Sequence, residues 1–188
     1  MKDIKDEDFS LFNQRPVNMK CTEMEEKVYD FLDNLNIEYK TLKHPEAFSM
    51  EECQKVRDFV KAPVFKNLFL TNKQQTKFYL LVMPADKPFK TKYLSSQINS
   101  ARLSFATEGF MMDLLGVKPG SVTPLGLIND NEHAVTFLID SDLREEKEFA
   151  CHPCINTASV IMRFSDLVKK ILPATLHDIH WVDLPKEI

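Results

Sequence analysis

Val64-Phe65-Lys66-Asn67-Leu68-Phe69-Leu70-Thr71 and Phe78-Tyr79-Leu80-Leu81-Val82-Met83 are apolar runs separated by the polar stretch Asn72-Lys73-Gln74-Gln75-Thr76-Lys77. Each run is short for a helix and borders turn-forming residues, so together they predict a hairpin of central strands, closed by Pro84 and Pro88. Alternation in the first run cannot hide both Lys66 and Asn67 on a solvent face, so one of them points toward a pocket. A lysine there would offer a point charge to a phosphate or a developing oxyanion. The plain alternative is an exposed lysine at the end of a sheet.

Outward from the hairpin, helices alternate with strands. Upstream, Thr22 and Glu25 form a capping box, and Met24, Val28, Phe31, Leu32 and Leu35 recur on one helical face. Ile37 to Leu42 alternates as a strand until His44-Pro45, and Ser49 with Glu52 opens a second helix that ends near Val60, before Ala62-Pro63. Residues 1–20 mix charge with isolated Phe9, Leu11 and Phe12 and read as an arm whose order depends on docking. Downstream come a helix over Thr91–Gln97, a strand over Leu103–Phe105 and a helix over Thr107–Leu115, ended by Gly116. Leu125–Ile128 and Ala134–Ile139, flanking Asn129-Asp130-Asn131-Glu132, predict a second hairpin. Strands over Glu148–His152 and Ser159–Arg163 and a helix over Ser165–Leu172 follow. Helices interleaved with hairpins argue for an α+β domain with a mixed, mainly antiparallel sheet.

With 188 residues, 44% of them hydrophobic, the chain fits one domain with a real core. No apolar run is long enough to span a membrane, and Met1-Lys2-Asp3-Ile4-Lys5-Asp6 is charged where a signal peptide is apolar; the expected location is cytoplasmic. The four cysteines, Cys21, Cys53, Cys151 and Cys154, are too few for a disulfide framework in this length. A formal net charge of −4 excludes general coating of nucleic acid but not a local basic face. Lys87, Lys90 and Lys92, interleaved with Phe89 and Tyr93, are the candidate for such a face. Serine hydrolase, P-loop, zincin and dinucleotide-binding signatures are absent from the sequence.

Two short motifs carry chemistry. Lys118-Pro119-Gly120-Ser121-Val122-Thr123-Pro124 is a turn-forming loop whose backbone N–H groups could meet a carbonyl or phosphate oxygen; the alternative is an ordinary strand entry. Cys151-His152-Pro153-Cys154 has the spacing of a thiol couple or half a zinc site, but no second cysteine pair accompanies it and Ile155–Val160 is poor helix sequence. His152, fixed by the following proline, and Asn156 can reach one pocket; a histidine satisfied by backbone is the alternative.

Taken together and in order, Lys66-Asn67-Leu68-Phe69-Leu70, Leu115-Gly116-Val117 running into Lys118–Pro124, and His152-Pro153 with Asn156 resemble the prolyl-tRNA editing domain family, the YbaK/aminoacyl-tRNA synthetase-associated group. Weaker matches lie at His44-Pro45 and Phe48-Ser49-Met50-Glu51-Glu52. The likeness spans about Glu23 to Leu172 and is greatest to freestanding alanyl-tRNA(Pro) deacylases. It implies a curved sheet flanked by helices in one editing domain over residues 21–175, between an arm (1–20) and a tail (176–188). It also implies hydrolysis of mischarged alanyl-tRNA(Pro), without metal, cofactor or covalent intermediate. Cysteinyl-tRNA(Pro) deacylation and a non-catalytic aminoacyl-tRNA binding module are the alternatives. Lys66, Gly120 and Ser121 would then be catalytic, Lys66 orienting the 3′ end and the Gly120 and Ser121 N–H groups holding an oxygen. Phe48, Asn67, Thr123, His152 and Asn156 would bind substrate. The implied partners are the 3′ end of tRNA(Pro) and, further, prolyl-tRNA synthetase or other translation factors; oligomeric state stays open.

Overall fold

The computed structural model describes residues 5–47 and 50–187. Helix α1 (Glu23–Asn34) starts where its capping box dictates, with the Glu25 N–H donating to Thr22 Oγ1 and the Thr22 N–H donating to the Glu25 carboxylate. Its Val28, Tyr29 and Leu32 are fully buried. The other helices are α2 (Met50–Val60), α3 (Thr91–Gln97), α4 (Glu108–Phe110, continuing as a π-helical turn over Met111–Leu115) and α5 (Phe164–Asp166, then a π-helical turn over Leu167–Ile171 and Leu172–Ala174). Gly116 ends α4 with φ of 64°, and a β-carbon there would sit 2.7 Å from Met24 Cε.

The strands form two sheets rather than one. The first is antiparallel throughout, ordered β1 (Ser10–Asn13), β2 (Tyr39–Lys43), β8 (Ala158–Arg163) and β7 (Glu148–Cys151). The second runs β5 (Leu103–Phe105), β3 (Lys66–Asn72), β4 (Phe78–Met83), β6 (Val135–Asp140) and β9 (His180–Val182). The β3–β4 hairpin pairs Lys66 with Met83 and Leu68 with Leu81, and the Asn72 side chain shapes its turn by accepting the N–H groups of Thr76 and Lys77. Every residue of β4 is buried, as a central strand requires.

Just before β3 the sheets meet: Val64 bridges Ala150 of β7, and the Ala150 N–H donates to the Pro63 carbonyl at 2.8 Å. Phe65 passes through this seam and stacks on Phe149, ring centroids 5.4 Å apart, with Phe164 edge-on. Fully burying such a side chain stabilises by about 1.5–3 kcal/mol, so Phe65 ties the hairpin to the other sheet.

Two sequence expectations change. Leu125–Ile128 is not a strand but part of a 3₁₀ helix over Pro124–Asn129, because Thr123 caps it through the Leu125 N–H and Pro124 has the fixed φ of a first helical residue. The second hairpin therefore does not exist: β6 pairs parallel with β4 and with β9. The Asn129–Glu132 stretch instead serves as an anchor, Asp130 accepting the N–H groups of Ala134 and Val135 and a hydrogen bond from buried His177. Residues 10–13 of the arm dock as β1 against β2, Phe9 stacking on Phe59 of α2 at 3.9 Å, and the tail contributes β9. The second capping box, Ser49 with Glu52, falls partly outside the described residues.

Lys87 also departs from its assignment to a nucleic-acid face. It is 6% exposed, and its ammonium lies 2.8 Å from Asp140, itself fully buried, and 3.0 Å from Asp142. Burial disfavours the charge, but the two carboxylates outweigh it and raise the lysine pKa. Replacing Lys87 with methionine should strand the Asp140 charge and lower unfolding free energy in urea by about 3–5 kcal/mol, and adding Asp140→Leu should recover much of that loss.

Candidate functional site

The loop after α4 is a type II turn. Pro119 takes its second position, Gly120 its third with φ of 85°, and the Ser121 N–H donates to the Lys118 carbonyl at 3.0 Å. The Ser121 N–H is thus consumed in forming the turn and does not serve as an oxygen-binding donor, which corrects the sequence expectation. Among the described residues the N–H groups of Gly120 and Val122 have no partner, and Gly120 is exposed. Ser121 and Thr123 are buried, the latter as the helix cap.

Gly120 and Val122 edge a cavity of about 350 Å³ in the seam between the sheets. Val64, Asn67 and Phe69 supply one wall, Ala150, Cys151, His152 and Ser159 another, and Met111 and Phe105 the rim. The question of which residue of β3 faces a pocket is answered by Asn67. Its Oδ1 is buried with no hydrogen-bond partner. Lys66 does not line the cavity; its Nζ donates to the Lys87 carbonyl at 2.7 Å.

Two histidines govern the floor. His152 lies before Pro153, which keeps its backbone extended, and its Nδ1–H donates to the Ala158 carbonyl at 2.8 Å. His44, 6% exposed, donates from Nδ1 to the Pro45 carbonyl at 2.9 Å and meets Ser159 Oγ with Nε2 at 3.1 Å. Burial lowers both imidazole pKa values, that of His44 to about 4, so both are neutral at pH 7. The two ring centroids are 6.2 Å apart. Burial also pushes the Cys151 and Cys154 thiols up to about 12, so neither offers a thiolate. Among the described residues no three His, Cys, Asp or Glu side chains cluster as metal ligands.

The model of the aminoacyl-tRNA editing domain matches residues 44–170, from His44 through the cavity walls to α5. The chain belongs to this family. Over 157 residues it is 32% identical to prolyl-tRNA synthetase associated domain-containing protein 1 of Danio rerio, covering 82% of this chain and 84% of the relative. Over 138 residues it is 33% identical to the prolyl-tRNA editing protein ProX of Acetoanaerobium sticklandii, covering 73% and 84%. The fold matches the crystal structure of a candidate trans-editing enzyme for prolyl tRNA synthetase, with a TM-score of 0.62 at 14% identity, across 88% of this chain and all of that one.

Within this editing domain, Asn67, Gly120 and His152 come together around the cavity. Lys66, Ser121, Thr123 and Asn156 do not line it. Asn156 flanks the turn from outside: a β-carbon on Gly120 would lie 3.7 Å from its Nδ2, which donates to Glu46. Phe48 lies outside the described residues. Ser159 was missed by the sequence reading, although a serine inside the apolar run Ala158–Met162 is a signal of the same kind as Asn67 in β3.

The His44 environment has a pH consequence. Between about pH 6.5 and pH 4 the unfolded chain takes up a proton that folded His44 refuses, so stability falls with pH across that window, by up to about 3 kcal/mol from this residue. Denaturation curves at pH 7 and pH 4.5 should show a smaller drop for His44→Gln than for wild type.

Proposed function

We propose that the protein is a trans-editing deacylase that hydrolyses the ester of mischarged alanyl-tRNA(Pro). The observation that carries this reading is the pairing of free backbone donors at Gly120 and Val122 with a small, mainly apolar cavity beside them. In this reading the ester carbonyl oxygen sits on those N–H groups, where they stabilise the charge that develops as water attacks the carbonyl carbon. The carbon–oxygen ester bond then breaks, the proton passes to the departing ribose oxygen with help from the vicinal hydroxyl, and alanine is released. Lys66 would exchange the Lys87 carbonyl for the terminal phosphate. A separate groove edged by Lys90, Lys92 and Arg102 offers positive charge that suits an RNA backbone.

The chemical need for a second site follows from pocket energetics. A proline-sized pocket discriminates against the smaller alanine by only about 1–3 kcal/mol per missing methylene. A cavity that admits small side chains removes the error instead. Prolyl-tRNA synthetase is the partner whose errors would be corrected.

Alanine release from alanyl-tRNA(Pro), measured beside cysteinyl- and prolyl-tRNA(Pro), tests the assignment. Alanyl-tRNA(Pro) should be cleaved fastest, with Lys66→Ala at least about tenfold slower. Preference for the cysteinyl ester would reassign the substrate, and binding of an uncleavable alanyl-adenosine analogue without turnover of any ester would make the protein a binding module.

The loop geometry predicts an asymmetry between neighbours. Ser121→Ala should keep activity within about threefold of wild type, because neither its hydroxyl nor its N–H faces the cavity. Gly120→Val should lose about a hundredfold or more in kcat, since φ of 85° is strained for a β-branched residue and the free N–H would move.

A further inference from the structure

The loop that carries the Gly120 and Val122 N–H groups leaves α4 at Leu115 and returns as the 3₁₀ helix Pro124–Asn129. One side chain joins its two ends. Asn129 Nδ2 donates to the Leu115 carbonyl at 2.8 Å and lies 3.6 Å from Met24 Sδ of α1, while Asn129 Oδ1 accepts from Lys27 Nζ, also of α1, at 2.6 Å. An ammonium can only donate and a carbonyl can only accept, so these contacts fix which way the amide faces. Two glycines make room for the junction. A β-carbon at Gly116 would sit 2.8 Å from Asn129 Nδ2, so the amide occupies the space that Gly116 leaves. A β-carbon at Gly126 would sit 3.0 Å from Leu115 Cβ and 3.1 Å from its carbonyl oxygen, so the returning helix packs closely on the residue that Asn129 holds. Leu115 is fully buried, and among the described residues its carbonyl, at the end of a helical turn, has no other donor.

We infer that Asn129 is a positioning residue for the reaction and that it couples α1 to the Gly120 turn. Lys27 sets the amide, the amide closes the loop, and the closed loop aims the two free N–H groups. The inference rests on the reading of those N–H groups as the oxygen-binding donors of a deacylase. Main-chain donors stabilise developing charge only when they are aimed before the reaction begins, and a misplacement of about 1 Å costs on the order of a hundredfold in rate. The cavity walls from β3, β7 and β8 do not depend on this closure, so its loss falls on kcat and leaves KM almost unchanged. Helix α1 lies before residue 44, where the editing-domain match begins, yet through Lys27 and Asn129 it bears on the reacting centre.

Asn129→Asp separates this role from simple space filling, because it keeps the size of the side chain and the contact with Lys27 but sets a carboxylate oxygen against the Leu115 carbonyl. In the full chain, kcat for alanyl-tRNA(Pro) should fall at least about tenfold with KM within about twofold. The backbone order parameters of Gly120 and Val122, measured by ¹⁵N relaxation, should fall from about 0.85 to below about 0.6. Asn131→Asp, which adds the same charge at an exposed position two residues on, should change neither. Should Asn129→Asp fail to fold, Lys27→Met, at an exposed site on α1, takes its place with a loss of about threefold or more in kcat. A fall in kcat with the order parameters unchanged, a fall in order with kcat unchanged, or a rise in KM that accounts for the whole loss would each overturn the positioning role. Full activity in Asn129→Asp removes that role and leaves the deacylase reading intact, whereas a wild type inactive on every small aminoacyl ester removes both.

Discussion

The Lys87–Asp140 pair joins the connection after β4 to the end of β6, the two strands whose parallel pairing sets the order of the larger sheet. Antiparallel neighbours are held in register by a turn, but these strands are separated by α3, β5, α4 and the loop that carries Gly120. Nothing local aligns them. A buried ammonium between two carboxylates supplies that alignment, and its high cost if broken makes the arrangement all-or-none. The same residue reaches the site, because the Lys87 carbonyl receives the Lys66 ammonium.

The cavity inherits its chemistry from the meeting of the sheets. Hairpin β3–β4 presents Asn67, the β7–β8 connection presents His152, β8 presents Ser159, and the glycine turn presents backbone alone. Polar side chains and unpaired main-chain N–H groups thus border one small space. Neither sheet could do this alone, and the Val64–Ala150 bridge with the Phe65–Phe149 stack keeps the two walls at a fixed separation.

What the sequence disclosed and what it hid follow the range of the interactions. The Thr22–Glu25 capping box, the β3–β4 hairpin, α3 and the Gly116 stop rest on contacts within a few residues, and all were readable. The parallel β4–β6 and β6–β9 pairings depend on residues far apart, and an apolar run such as Leu125–Ile128 looks alike in a strand and in a 3₁₀ turn. Lys66 and Asn67 show the same limit within the site. Alternation says that one faces inward, and only the register against β4 and the seam decides for Asn67. The Gly120 turn was recognisable by its residues, yet the loss of the Ser121 N–H to the turn's own hydrogen bond is a matter of conformation.

Gly120 contributes to its cavity without a side chain, while residues that set the cavity's size, such as Val64 and Ala150, give it apolar surface alone. Chemistry and shape are therefore encoded at separate positions. A lineage can enlarge or narrow the chamber by single substitutions of neighbouring aliphatic residues while the main-chain donors stay where they are. Such a division gives the scaffold a short mutational path between different small acyl groups, each intermediate keeping its reactive centre.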